Sequence, residues 1–339
     1  MTFLLKSGVR LSQLIVVSGL LGVVISIYLL LGRHADLPYD STNPVIYLND
    51  WTNDYVDWYL MALASTEDID YRGIITSSSV APFNRHMPAR SLDGQVRRRS
   101  QIVSIARRSG LRNIPDPVPG SRSHLAEPKS GHIEDTQILD SPGTQLIIRE
   151  ASRASPEQPL VILVGGPLTT VADAILIDEA IADNIVVAVT DNRSEGLIGY
   201  NGWADGWAAY IVLRKTRVVL FPAFPDKTFP RLTKKWIREN LSDGELRDFL
   251  ISVRLDVVND DDGDADGMPA VSLMQPTYVK ATKRASIGSW KTRDNHRMPL
   301  LIDDPDGPII VVTKSSGRVA SNEYMRALSN MSVRPGTGD

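Results

Sequence analysis

The stretch NDWTNDYVDWYLMALAS, Asn49 to Ser65, sets three carboxylates, Asp50, Asp54 and Asp57, between the apolar run PVIYL and the helix-like run WYLMALA. A carboxylate among buried apolar segments is costly unless something there uses its charge. Two uses are chemically available: capping a helix N-terminus and complementing its dipole, or coordinating a hard cation such as Ca²⁺ or Mg²⁺. One aspartate needs only the cap. Three acids within eight residues exceed it, and Asp54 and Asp57 share a face if both are helical. Capping with surface solvation and metal binding both stay open at this point.

A second acidic group lies far along the chain in NDDDGDADGMPAVSLMQP, Asn259 to Pro276. Asp262, Asp264 and Asp266 before Gly267 imitate the opening of an EF-hand loop, but the closing bidentate acid would fall on Leu273, which excludes that motif. MPAVSLM is apolar enough to be buried, so Asp266 is expected to enter the protein at a helix start. A third candidate, LVGGPLTTVADAI (Leu163 to Ile175), has a strand entering a glycine turn and then a helix capped by Thr169 or Thr170. The lone histidines His86 and His296 read as surface residues.

These groups need a scaffold, and the surrounding pattern supplies one. PVIYL, YRGIITSSS, PLVILVGG, NIVVAV and TRVVLF read as buried strands. Between them lie the helical patterns DYVDWYLMALAS, GQVRRRSQIVSIARRSG, GTQLIIREAS and TTVADAILIDEAI. In the arginine-rich helix, Val96, Ile102, Val103 and Ile105 or Ala106 form the inward face, the arginines a solvated one, and Gly110 a C-cap. Such alternation predicts an α/β fold: a mostly parallel, doubly wound, Rossmann-like sheet flanked by helices. Ligands of such sheets bind beyond the carboxyl ends of the strands, where Asp50 and Asp54 follow the first one. The Pro, Ser and Gly-rich stretch from Arg112 to Pro142 reads as a surface excursion.

Composition limits the remaining choices. The 339 residues are 42% apolar, which excludes a wholly disordered chain. The net charge of −3 gives no reason to expect nucleic acid, and the absence of cysteine removes disulfides, thiolate metal sites and a cysteine nucleophile. LSQLIVVSGLLGVVISIYLL, Leu11 to Leu30, carries no charge and is long enough for a bilayer core of about 30 Å. Lys6 and Arg10 before it, and Asp36 and Asp40 after it, favour an N-terminus inside and a domain outside. The expected organisation is a cytoplasmic segment 1–10, a transmembrane anchor or uncleaved signal 11–31, a linker 32–43, one domain 44–325 and a flexible tail 326–339. A cleaved signal peptide is the rival for the apolar segment.

LNDWTNDYVDWYLMALAS…YRGIITSSS, GLRNIPDPVPGS, PLVILVGGPLTTVADAILID, NGWADGWAAYIVL and DGMPAVSLMQP follow one another in an order that resembles the inosine-uridine preferring nucleoside hydrolase family, over roughly Pro44 to Pro276. The resemblance implies a nucleoside hydrolase-like domain, possession of Ca²⁺ at the carboxyl end of the sheet, and a nucleoside-like small molecule as partner. By position, Asp50 matches the aspartate that binds metal and takes a proton from the attacking water. Asp54 matches an aspartate that holds the site and ribose, Thr169 a carbonyl ligand and Asp266 the distant metal aspartate. Asn201 resembles a sugar-binding asparagine, Asn84 lies near where another is expected, and a homo-oligomer is expected on the same ground.

The chain also departs from the family. Its first motif aspartate is Leu48 here, the last of its consecutive pair is Tyr55, the histidine before the late aspartate is Ala265, and the glutamate two residues before Asn201 is Gly199. Asp57 is the possible substitute for the ligand lost at Tyr55. Two functions follow as expectations: a membrane-anchored, extracytoplasmic hydrolase of an N-glycosidic bond in a ribonucleoside or related ribosyl compound, with Asp50 as base, or a non-catalytic binding module that kept the fold and lost the metal.

Overall fold

The computed structural model describes residues 35–50, 55–78, 91–192, 199–222, 233–252, 265–293 and 296–331. Its centre is a sheet of mixed origin. The first six strands are β1 (Pro44–Asn49), β2 (Asp70–Thr76), β3 (Pro117–Pro119), β4 (Leu160–Gly165), β5 (Ile185–Asn192) and β6 (Arg217–Pro222). Then come β7 (Val279–Arg293), β8 (His296–Asp303) and β9 (Ile309–Ser315). The order is β3-β2-β1-β4-β5-β6-β9-β7-β8. All pairings from β3 to β9 are parallel, and β7 pairs antiparallel with both β9 and β8. Val161 to Val164 and Val186 to Val189 are buried on both faces, which is why these strands read as continuous apolar runs.

Helices cover both faces. On one lie α1 (Tyr55–Ser65), α2 (Leu92–Arg108), α7 (Lys234–Asn240), α8 (Glu245–Ser252), α9 (Gly267–Met274) and α10 (Gly317–Ser329). On the other lie α3 (Pro142–Ala151), α4 (Thr169–Ile177) and α6 (Gly206–Lys215), the last preceded by the short α5 (Tyr200–Ala204). The chain winds from β1 outward to β3, then returns through α3 to place β4 on the other side of β1. The point of reversal therefore lies between β1 and β4, where a doubly wound sheet opens a crevice at its carboxyl ends.

Local chemistry explains the helix bounds. Ser91 accepts the Gly94 amide at the start of α2, and the end of α2 closes on Gly110, at φ +92°, with Gly110 N bonding Arg107 O and Leu111 N bonding Ala106 O. Ser141 and Thr144 form a capping box on α3. The helix expected over TTVADAILIDEAI stops at Ile177, where Asp178 turns extended and caps a 3₁₀ segment instead.

Three expectations are corrected. The arginines of α2 are not all solvated: Arg99 is only 1% exposed, and the inward stripe is Leu92, Gln95, Arg99, Ile102, Val103 and Ala106. The Arg112–Pro142 excursion also contributes edge strand β3 and is fastened to α4, with Ser121 N bonding Thr170 Oγ1 and Ser121 Oγ bonding Asp173. The linker, over its described part, lies across the domain. Ala35 N bonds Val279 O, the Tyr39 hydroxyl bonds Ser272, and Asn43 bonds Pro159 O. Residues 326–331, expected in the tail, belong to helix and core: Ala327, Leu328 and Met331 are buried, and Arg326 bridges Glu323 and Asp68.

The second half of β7 leaves β9 and pairs with β8 alone, forming an arm that packs on α5 and α6. Trp290 stacks near Trp207 and Tyr210, and Arg297 lies 4.5 Å over the Trp290 ring while pairing with Glu127. Among the described residues no helix is long and apolar enough to cross a membrane, and the expected anchor 11–31 lies outside them.

Candidate functional site

The crevice at the reversal point is built around one glycine pair. A Cβ on Gly165 would lie 2.6 Å from Cγ and 2.7 Å from Oδ2 of Asp266. A Cβ on Gly166 would lie 2.8 Å from the Asp50 nitrogen and 3.2 Å from its Cβ. Absence of side chains at 165 and 166 is thus what lets Asp50, from the end of β1, and Asp266, some two hundred residues later, approach the same turn. Asn49 adds a 3.5 Å contact from Nδ2 to Asp266 Oδ2.

Asp266 starts α9 but makes no side-chain capping bond to it. Capping therefore does not account for its carboxylate, which leans over Gly165 instead. The turn before it is fixed by the Thr190 hydroxyl donating to Ala265 O at 2.8 Å. Asp50 is 7% exposed, and its backbone carbonyl accepts from Gln95 Nε2 at 2.9 Å.

Thr169 opens α4 on the far side of the glycine turn, and its hydroxyl donates to Asp205 at 2.7 Å. Asp205 also accepts the Leu125 and Ala208 amides. Asn201 is buried, its side chain donating to Thr190 O at 3.2 Å and its amide to Asp191 at 2.9 Å. The Gly199 departure has a steric cause: a Cβ there would lie 2.6 Å from Asp191 Oδ1, whose carboxylate takes the Asn201 and Gly202 amides. Any larger residue would displace that carboxylate.

Asp57 does not stand open to the crevice. It is 4% exposed and its carboxylate meets the Arg99 guanidinium at 3.5 Å. Arg99 also reaches Asn49 O and Ile75 O, at 3.3 and 3.4 Å. Asp54, Asn84 and His86 lie outside the described residues. His296 opens β8 at the turn of the arm.

Two groups near the site were missed by sequence reasoning. Tyr200 is half-buried, and burial first, then the Asp50 charge, pushes its phenol up to about 12, so at neutral pH it keeps its proton. Ser77 and Thr76, at the end of β2, are 2% and 0% exposed, and their hydroxyls bond to no described group. Ser77 Oγ lies 2.6 Å from the Cβ position of Gly166. Only the small polar ending of YRGIITSSS hinted at them.

The donors are all hard oxygens, which suits a cation such as Ca²⁺ in kind. Among the described residues no three acids or histidines converge closely enough to hold a metal by themselves. Asp50 and Asp266 would need Asp54, the Thr169 carbonyl and ligand oxygens to complete a coordination shell of about six to eight.

No family model matches the sequence, and no curated protein matches it. Solved structures match the fold. A plant nucleoside hydrolase aligns with a TM-score of 0.58 at 16% identity, covering 85% of this chain and 99% of its own. An inosine-guanosine nucleoside hydrolase aligns at 0.59 and 15%, covering 86% and 98%. The inosine-uridine preferring nucleoside hydrolase of Bacillus anthracis aligns at 0.57 and 14%, covering 85% and 99%. The chain thus has a nucleoside hydrolase-like fold: a mixed α/β domain with a largely parallel sheet.

Proposed function

We propose that this protein hydrolyses the N-glycosidic bond of a ribonucleoside or related ribosyl compound at the β1–β4 crevice, with Asp50 as the base. The observation that supports it is the approach of Asp50 and Asp266 to the Gly165–Gly166 turn at the reversal point of the sheet. Asp50, Asp54, Asp266 and the Thr169 carbonyl would hold Ca²⁺. Bound there, Ca²⁺ would supply Lewis-acid charge that makes water easier to deprotonate at neutral pH. The Asp50 carboxylate accepts the proton of the attacking water. Asp54 and Asn201 would orient sugar hydroxyls, and the protonated Tyr200 phenol donates to an acceptor on the ligand. Fixed carboxylates stabilise the positive charge that develops on the ribose ring as the bond to the base breaks.

A non-catalytic binding module is the second reading, favoured by Tyr55 at a ligand position and by Arg99 engaging the substitute, Asp57. Release of free base from a panel of ribonucleosides decides between the two. Asp50→Ala should lower the rate by about 10²–10⁴-fold; equal rates in variant and wild type discard the mechanism. We propose in addition that segment 11–31 anchors the domain outside the cytoplasm, which recovery of the full chain in the soluble fraction would contradict.

A further inference from the structure

We propose that Gln95 and Arg99 of α2 are positioning residues for Asp50, an inference that rests on reading Asp50 as the base. The inward stripe of α2 is apolar in its second half, Ile102, Val103 and Ala106, but polar in its first, Gln95 and Arg99, four residues apart on one face. A buried amide and a buried guanidinium are costly without partners. Their partners are backbone carbonyls at the ends of β1 and β2. Gln95 donates to Asp50 O at 2.9 Å, and Arg99 donates to Asn49 O at 3.3 Å and Ile75 O at 3.4 Å. Asn49 O also accepts the Ser77 amide at 3.0 Å, so the grip ties the two strand ends together where regular pairing stops.

Arg99 is held in turn by Asp57 on α1 and by the Tyr47 ring, 5.7 Å from its guanidinium carbon. Helix α2 thus holds the carbonyl side of residues 49 and 50, while Gly166 borders the nitrogen and Cβ of Asp50. Between them the backbone of Asp50 has one position, and its carboxylate is set from there. Gln95 carries the shortest of these bonds and Arg99 the charge.

Gln95→Met in the full chain tests this, since methionine keeps the length and volume of glutamine and removes only the donor. Expected is a fall in kcat of about tenfold, the equivalent of one lost hydrogen bond, with KM kept. The amide resonances of Asp50 and Gly166 should shift while those of β5 and β6 stay in place. Arg99→Met alone leaves the Asp57 charge buried without its cation, so Arg99→Met/Asp57→Asn is the second variant, with the same shifts expected. Unchanged Asp50 and Gly166 resonances in both variants overturn the proposal, because a residue that only fills space is replaced by methionine without local effect. If the wild type releases no base yet these resonances move, the hydrolase reading falls and the positioning role stands.

Discussion

At the scale of single residues, the site depends as much on side chains that are absent as on those present. Gly165 and Gly166 leave the room into which Asp266 and Asp50 fit. Gly165→Ala should therefore push the Asp266 carboxylate aside, at a cost of about 1–3 kcal/mol, and abolish any Ca²⁺-induced rise in melting temperature. A Ca²⁺ response unchanged in that variant would remove Asp266 from the ligand set. Thr169 and Asn201 were singled out for the site only by the family resemblance, whereas Asp50 and Asp266 could be singled out in advance as acids after a strand and at a helix start. Arg99 could not. An arginine in an RRRS run reads as solvent-facing, and only the docking angle of α2 decides which of three neighbours turns inward. Ser77 and Tyr200 were hidden likewise, since a hydroxyl gains meaning only from what faces it.

At the scale of elements, buried carboxylates fasten loops to helices. Asp173 on α4 is fully buried and accepts from Ser121 Oγ at 2.5 Å and Leu139 N at 2.9 Å, holding both ends of the 121–139 excursion. Burial first, with Asp205 and Asp140 adding repulsion, pushes its carboxyl up to about 6. The folded state therefore holds this proton more tightly than the unfolded chain, whose aspartates titrate near about 4. The resulting stability is fully present below that value and lost as pH rises through about 6. Asp173→Asn can keep both contacts without the charge. It should flatten melting temperature against pH between these values and raise it at neutral pH; a slope like that of the wild type would refute this. The β7–β8 arm makes a second case. A Cβ on Gly206 would run into Arg297 O, so Gly206→Ala should displace the arm from α6 and cost about 2–4 kcal/mol by denaturant titration. The parallel strands were legible from apolar runs alternating with helices. The arm was not, because its half-exposed sequence, KATKRASIGSWKTR, pairs with partners chosen by tertiary packing.

At the scale of the whole molecule, the ends of the described chain close the fold. Tyr59 and Tyr324 stack at 4.3 Å, and the Tyr59 hydroxyl donates to buried Glu323, which Arg326 neutralises. Removing residues 326–339 should thus cost several kcal/mol, roughly 1.5–3 for each large buried side chain lost, such as Leu328 and Met331. Equal urea midpoints for the shortened and complete chains would show that this segment is dispensable. Ca²⁺, if held by the folded state alone, should stabilise it by about 2.7 kcal/mol at a hundredfold excess over its dissociation constant. The sequence by itself determined the parallel α/β architecture, because burial on both faces forces apolar strands and amphipathic helices to alternate. It also supplied the carboxylates and the glycine turn. Only the tertiary structure decided that Asp266 leans over Gly165 instead of capping its helix, that Arg99 reaches the Asn49 carbonyl and engages Asp57, and that residues 326–331 seal the core. Those outcomes depend on distances between segments remote in sequence, and no local pattern encodes such distances.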